Sequence, residues 1–339
     1  MHYLITGHTG FKGSWLSLLL AARGHTVSGV ALDPRPGGLF EMARVAERLR
    51  HDYRCDIRDS KQTTEVIGAA GADVLIHLAA QPLVRESYRI PRDTFETNVM
   101  GTLNVLDAVS RTPDIRAAVI VTTDKVYRNV NQKEGYTESD PLGGHDPYSS
   151  SKAMADILTQ SWVASFPGVP TAVARAGNVI GGGDVSPDRL VPDLITAFSE
   201  GRQARIRYPA AVRPWQHVLD CLNGYLLLVD ALVDGRGQGE WNFGPGSESF
   251  VPVGSVADIA AELWGSGASW AVEAGQHLHE AALLSLDASK SRTELRWQDR
   301  LPFPRGLEWT IDWNRRVSAG DSPHGVTLEQ IRAFEELQP

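Results

Sequence analysis

Cysteine is nearly absent. Cys55 and Cys221 are the two in 339 residues, 166 positions apart (221 − 55), with no motif around either. That argues against a disulfide framework and predicts unpaired thiols of a reducing compartment. Runs of basic charge are also missing: 33 Lys and Arg are scattered among 41 Asp and Glu, for a net charge of −8. The electrostatic footprint of a nucleic-acid binder is therefore lacking. No apolar run approaches the roughly 20 residues that cross a bilayer, and the stretch from Trp15 to Ala22 is far too short. No basic leader precedes an apolar segment, so neither a signal peptide nor a membrane partner is expected, and the expected compartment is the cytoplasm. Internal repeats and low-complexity tracts are lacking as well.

What is present is ordinary globular material, 42% hydrophobic and 22% charged, in a chain long enough for a sizeable core. The first half alternates short β-rich runs with helical patterns. Strands are predicted at Tyr3–Thr6, Thr26–Ala31, Asp52–Asp56, Val74–Leu78, Ala118–Thr122 and Thr171–Ala174. Helices are predicted at Gly13–Ala22, Thr63–Ala69, Thr94–Ser110 and Tyr148–Ser165. This order implies an α/β fold, a doubly wound parallel sheet of Rossmann type over residues 1–175. Beyond about residue 175 Gly and Pro become dense, and seven of the nine tryptophans fall after residue 200. A smaller, interleaved C-terminal domain over 176–339 is expected, with parts of 213–260 returning to the first.

Gly7, Gly10 and Gly13 follow the first strand and open the first helix. Glycines there permit a tight turn and close approach of a pyrophosphate, which the helix N-terminus attracts. Asp33 ends the next strand 20 positions after Gly13 (33 − 13), placed for an adenosine ribose. Its carboxylate would repel a ribose phosphate and so favours NAD over NADP, although Arg35 argues the other way. Asp56 and Ile57 would sit beside the adenine, and Ala79 and Ala80 beside the phosphates.

Two further patterns carry chemistry. The buried strand ending at Val121 is followed not by turn residues but by Thr122-Thr123-Asp124-Lys125. Tyr148 and Lys152 lie four apart on one helical face. An ammonium beside the phenol is expected to lower its pKa and make it a general base near neutral pH. "QHLHE" offers His277 and His279, but no further ligand spacing accompanies them, so no metal is expected.

The segments "TGHTGFKGSWLSLLL", "HLAAQPLVRESY", "TDKVY", "GYTESDPLGGHDPYSSSKA", "ARAGNVIGGGD" and "RPWQHVLD" together resemble the extended short-chain dehydrogenase/reductases. Within these the chain is most similar to the CDP-glucose 4,6-dehydratase branch of the nucleotide-sugar epimerase/dehydratase superfamily. The likeness runs from residue 6 to about 331. It implies an NAD site of Gly7, Thr9, Gly10, Phe11, Lys12, Gly13, Asp33, Asp56, Ile57, Leu78, Ala79, Ala80, Asn98 and Thr122, completed by Tyr148 and Lys152.

The resemblance also implies a reaction. Such a dehydratase oxidises the hexose at carbon 4, removes the carbon 5 proton, expels the carbon 6 hydroxyl and returns the hydride to carbon 6. Tyr148 would accept the carbon 4 hydroxyl proton, with Thr123 bonded to that oxygen. Asp124 would stay protonated to donate to the departing hydroxyl. Lys125 would be a neutral carbon 5 base or, charged, an electrostatic stabiliser of the enolate. Arg213 and Asn178 would face the pyrophosphate, Arg189 and Leu190 the nucleoside, and Arg85 and Ser87 the hexose. His217 falls in the same substrate segment, where a packed histidine is the simpler reading than a catalyst.

Val185, where relatives carry Trp, and the absence of a Glu-Trp pair after Asn129 bear on substrate identity. The alternatives are a dehydratase or 4-epimerase of another nucleotide sugar (a GDP-heptose, or a dTDP- or UDP-sugar) and a non-catalytic dinucleotide sensor. Intact Thr123, Tyr148 and Lys152 speak against the sensor. Pairing of the helices Thr94–Ser110 and Tyr148–Ser165 across a two-fold axis would give a homodimer or a dimer of dimers.

Overall fold

Continuously apolar strands need cover on both faces, and the helices between them supply it. The computed structural model describes residues 1–132, 134–275 and 284–337. The first six strands are β1 (His2–Thr6), β2 (Thr26–Ala31), β3 (His51–Arg54), β4 (Val74–His77), β5 (Ala117–Val121) and β6 (Thr171–Ala176). The later ones are β7 (Asn178–Ile180), β8 (Ala204–Ile206), β9 (Val212–His217), β10 (Gly239–Phe243), β11 (Phe250–Pro252) and β12 (Trp270–Val272). Seven form one sheet in the order β10-β6-β5-β4-β1-β2-β3, every pairing parallel.

Alternation sorts the core. On β1, Tyr3 and Ile5 point to a layer with Trp15, Leu19, Leu222 and Leu226, while Leu4 points to one with Ile67, Leu75 and Val105. Each such side chain, fully buried, contributes about 1.5–3 kcal/mol. The chain reverses direction across the sheet between β1 and β4, a topological switch point where α/β folds bind ligands. Register puts Thr6 beside His77 and His77 beside Ile120, so the loops after β1, β4 and β5 emerge in one row.

A second apolar cluster, with Val191, Leu194, Phe198, Trp215, Val256 and Ile311, underlies the small sheets β11-β9-β7 and β12-β8. Helix Val218–Val233 packs into the main core, and β10 closes the main sheet beside β6.

The expected helix Thr94–Ser110 is not uniform. It runs as Pro91–Phe95, a π-type turn Glu96–Met100, and Gly101–Ser110. The widened turn holds Asn98, whose amide both accepts from and donates to the backbone of Gln81. Gly101 follows it because a Cβ there would lie 2.5 Å from Ile57 Cδ1. Both cysteines are buried and unpaired. Among the described residues no helix is long and apolar enough to cross a membrane. His277 and His279 lie outside the described residues.

Candidate active site

The site begins where β1 ends. Gly7 adopts φ +75°, and a Cβ there would sit 2.7 Å from the amide nitrogen of Ala79. A Cβ on Gly13 would lie 2.2 Å from the carbonyl oxygen of Gly7. Glycine alone fits such contacts. No side chain caps the helix Phe11–Ala22 at Gly10, so its first amides are available to an anion. Asp33, two residues past β2, is almost fully exposed, with Arg54 Nε 3.2 Å from its carboxylate. Arg58 donates to Asp56 at 2.6 Å and holds that carboxyl below its ordinary range. Gly29 makes room for His8, which no sequence pattern singled out: a Cβ on Gly29 would fall 2.1 Å from its ring. His8 Nε2 bonds Asp52 at 2.7 Å, and burial lowers its pKa.

The row continues at β5. Thr123 explains how the chain turns there without Gly or Pro: its hydroxyl caps the short turn Asp124–Val126, accepting from Lys125 N at 3.4 Å. The same hydroxyl donates to Asp124 Oδ1 at 2.9 Å, and Lys125 Nζ lies 3.3 Å from that oxygen. Asp124 is 1% exposed and sits behind Gly177, where a Cβ would come within 3.1 Å of Oδ2. Lys125 reaches the cavity.

Asp146 caps helix Pro147–Ser165, with Pro147 in its first turn, and sets Tyr148 and Lys152 one turn apart. The expected lowering of the Tyr148 pKa is not found. Burial pushes the phenol up to about 12, against a hydrogen bond with Thr123 and the charge of Arg189. Lys152 Nζ donates to Val121 O at 2.7 Å. Burial lowers that ammonium to about 8, opposed by Asp156.

One cavity of about 1130 Å³ runs from Asp33 through Gly10, Thr123 and Tyr148 to Arg213. Its volume suits a dinucleotide lying end to end with a second ligand. Every residue expected at the dinucleotide lines it except Asn98, and so do Thr123, Lys125, Arg85, Asn178, Arg189, Leu190 and Arg213, whereas the expected acid Asp124 lies buried behind them and does not line it. Three expectations are corrected. Asn98 is buried, bonded to Gln81 and to Ser151 Oγ at 2.8 Å, and so ties the loop after β4 to the Tyr148 helix. Ser87 is buried too, its hydroxyl donating to Val84 O and accepting from Tyr148 N at 3.1 Å. His217 caps helix Val218–Val233 between Trp15 and Trp309, and burial drives its pKa to about 3. Thr122 lines the cavity, but its hydroxyl is engaged by Asp156 at 3.0 Å.

The far end holds groups the sequence did not single out. Asp188 Oδ1 lies 2.8 Å from Arg85 Nη1 and 3.4 Å from Arg207 Nη1, bridging the two guanidinium groups. Burial and the charge of Asp188 push Asp193 up to about 6.

Comparison with known proteins gives a consistent answer. The profile of the NAD dependent epimerase/dehydratase family matches residues 3–244. The CDP-glucose 4,6-dehydratase of Salmonella typhimurium is 42% identical over 328 residues, covering 94% of this chain and 91% of its own. The dTDP-glucose 4,6-dehydratase of Streptomyces griseus is 31% identical, covering 92% and 93%. Among solved structures, the dTDP-glucose 4,6-dehydratase of Streptomyces venezuelae with NAD and TYD bound superposes with a TM-score of 0.82. It is 27% identical and covers 96% of this chain and all of its own.

Proposed function

We propose that this chain, which belongs to the NAD dependent epimerase/dehydratase family, converts CDP-D-glucose to CDP-4-keto-6-deoxy-D-glucose. It is on this reading an NAD-dependent hydro-lyase. The observation that carries the proposal is the Asp124–Lys125 pair, 3.3 Å apart beside Thr123. A 4-epimerase needs Thr123, Tyr148 and Lys152 but no acid and base for carbons 6 and 5. The 42% identity to a CDP-glucose 4,6-dehydratase supports the same substrate.

NAD is the cofactor, and the glycine cradle, the uncapped helix start and Asp33 suit it. When bound it supplies the hydride acceptor for carbon 4, the donor for carbon 6, and a positive ring near the phenol. Tyr148 takes the carbon 4 hydroxyl proton, and Thr123, bonded to the phenol, holds the same oxygen. Lys152 would hold the nicotinamide ribose, and the positive nicotinamide ring would favour the phenolate.

Asp124 and Lys125 form the second half of the machinery. The 3.3 Å contact gives a path along which one proton can pass between the two groups. In the neutral tautomer the Lys125 amine removes the carbon 5 proton while the Asp124 carboxyl protonates the leaving hydroxyl. Arg213 and Asn178 suit the pyrophosphate, Arg189 and Leu190 the nucleoside, and Arg85 the hexose.

The division into a dinucleotide lobe (1–175) and a substrate lobe (176–339), with parts of 213–260 returning, follows from the same assignment. A homodimer or dimer of dimers in the cytoplasm completes the reading. Met100, Met154 and Ile157 support association, being about half exposed on the two helices concerned. Light scattering should give at least twice 37.0 kDa, and a 37.0 kDa particle at micromolar concentration would refute association. The functional test is a panel of CDP-, UDP-, dTDP- and GDP-glucose assayed for a 4-keto-6-deoxy product. CDP-glucose should be the preferred substrate, and no 4-keto product from any of them would overturn the proposal.

A further inference from the structure

Beneath the row of loops lies a buried polar network that the chemistry above does not use. Arg175 on β6 and Asp156 on helix Pro147–Ser165 form a two-pronged ion pair with no exposure, Nη2 to Oδ1 at 2.8 Å and Nε to Oδ2 at 2.9 Å. Asp156 Oδ2 also accepts the hydroxyl of Thr122 at 3.0 Å. Arg175 Nη1 donates to the phenol oxygen of Tyr127 at 2.8 Å and to Glu138 O at 3.2 Å. The Tyr127 hydroxyl in turn donates to Asn242 Oδ1 at 2.8 Å. Thr122 immediately precedes Thr123, and Tyr127 immediately follows Val126. One ion pair thus grips both ends of the turn that carries Thr123, Asp124 and Lys125.

Stability alone is a weak reason for such an arrangement, because well-packed apolar residues of similar volume are often as stable as a buried ion pair. Position is the stronger reason. The turn is only four residues long between its two anchors, and a small displacement at either end moves the Asp124–Lys125 contact. We propose that Arg175, Asp156 and Tyr127 are positioning residues that clamp the Thr123–Lys125 turn against the Tyr148 helix. The catalytic meaning of that clamp rests on the function proposed above, whereas its mechanical content does not.

Two measurements on the NAD-loaded enzyme separate these. Arg175→Ala would leave Asp156 buried without its partner and is expected to compromise folding, so the working variant is Tyr127→Phe. It keeps both charges paired and keeps the ring stacked on Tyr136 at 5.2 Å. In hydrogen exchange, the Val126 and Arg128 amides, bonded to Thr123 O and Pro141 O, should exchange about tenfold faster after loss of these hydrogen bonds. Amides of β4 should be unchanged. Exchange at Val126 and Arg128 within roughly twofold of wild type, or an equal rise throughout β5 and β6, would overturn the clamp.

With CDP-glucose, the variant's kcat should fall about tenfold while KM changes less than about twofold, the pattern of a misplaced reacting group. Loss confined to KM would overturn the positioning role. Wild type inert on every nucleotide-glucose would instead refute the proposed function, and the exchange result would still decide the clamp.

Discussion

The two ends of the cavity are built by different means. At the dinucleotide end the shape is made by backbone, through glycines at positions where a Cβ would meet main-chain atoms at 2.2 to 2.7 Å. At the other end, where the substrate is proposed to lie, it is made by long charged side chains, with Asp188 drawing together Arg85 and Arg207. A backbone site tolerates almost no change but accepts any ligand with the same pyrophosphate. A side-chain site can be retuned one residue at a time.

The largest effect should come at the seam between them. Lys125→Met removes the proposed carbon 5 base and should slow product formation about a hundred- to ten-thousand-fold. Oxidation at carbon 4 should survive, because Thr123, Tyr148 and Lys152 are untouched. Single-turnover absorbance should therefore reveal reduced cofactor held on the enzyme without product, and near-normal turnover would show that Lys125 is a bystander. At the backbone end, Gly13→Ala should weaken NAD binding by up to about a hundredfold, since its Cβ meets a carbonyl that cannot move aside cheaply. Calorimetric titration with NAD checks this, and unchanged affinity would break the comparison.

Smaller effects test the electrostatics. Lys152 is lowered by burial to about 8, so its ammonium is present below that pH and lost as pH rises through it. NAD binding that needs the ammonium should weaken about tenfold between pH 7 and 9, and a flat profile would contradict the assignment. Asp33→Ala should shift preference from NAD toward NADP by about tenfold, read from the two dissociation constants. The smallest change is expected at the side-chain end. Asp188→Asn keeps a residue tolerant of its left-handed backbone, φ +59°, but removes the bridge charge. The KM for CDP-glucose should move by only about three- to fivefold, as for a half-exposed ion pair. A change as large as that of Gly13→Ala would erase the distinction.

The same contrast governs what could be read from the chain. Strand and helix alternation is local, so the sheet and the glycine loop were legible, with β3 displaced by a residue or two from its expected span. The π-type turn at Asn98 was not, because it exists to meet Gln81, 17 positions away. Arg85, Asp188 and Arg207 were invisible as a group for the same reason, lying 103 and 19 positions apart. For Tyr148, sequence spacing fixes that Lys152 is near but not that burial raises the phenol or that the ammonium donates to Val121 O. His217 in "RPWQHVLD" is packed, as its simpler reading had it, but its two tryptophan neighbours lie far from it in sequence and could not be named.

The central claim is that the carbon 4 hydride returns to carbon 6 of the same sugar after water has left. Incubating the enzyme with CDP-glucose deuterated at carbon 4 tests this directly, with the product read by NMR and mass spectrometry. The account predicts a 4-keto-6-deoxy sugar carrying the deuterium on its new methyl group, with no reduced cofactor in solution. Deuterium found again at carbon 4 of an intact hexose would identify an epimerase, and deuterium released on free cofactor would identify an ordinary dehydrogenase. Either result would contradict the account.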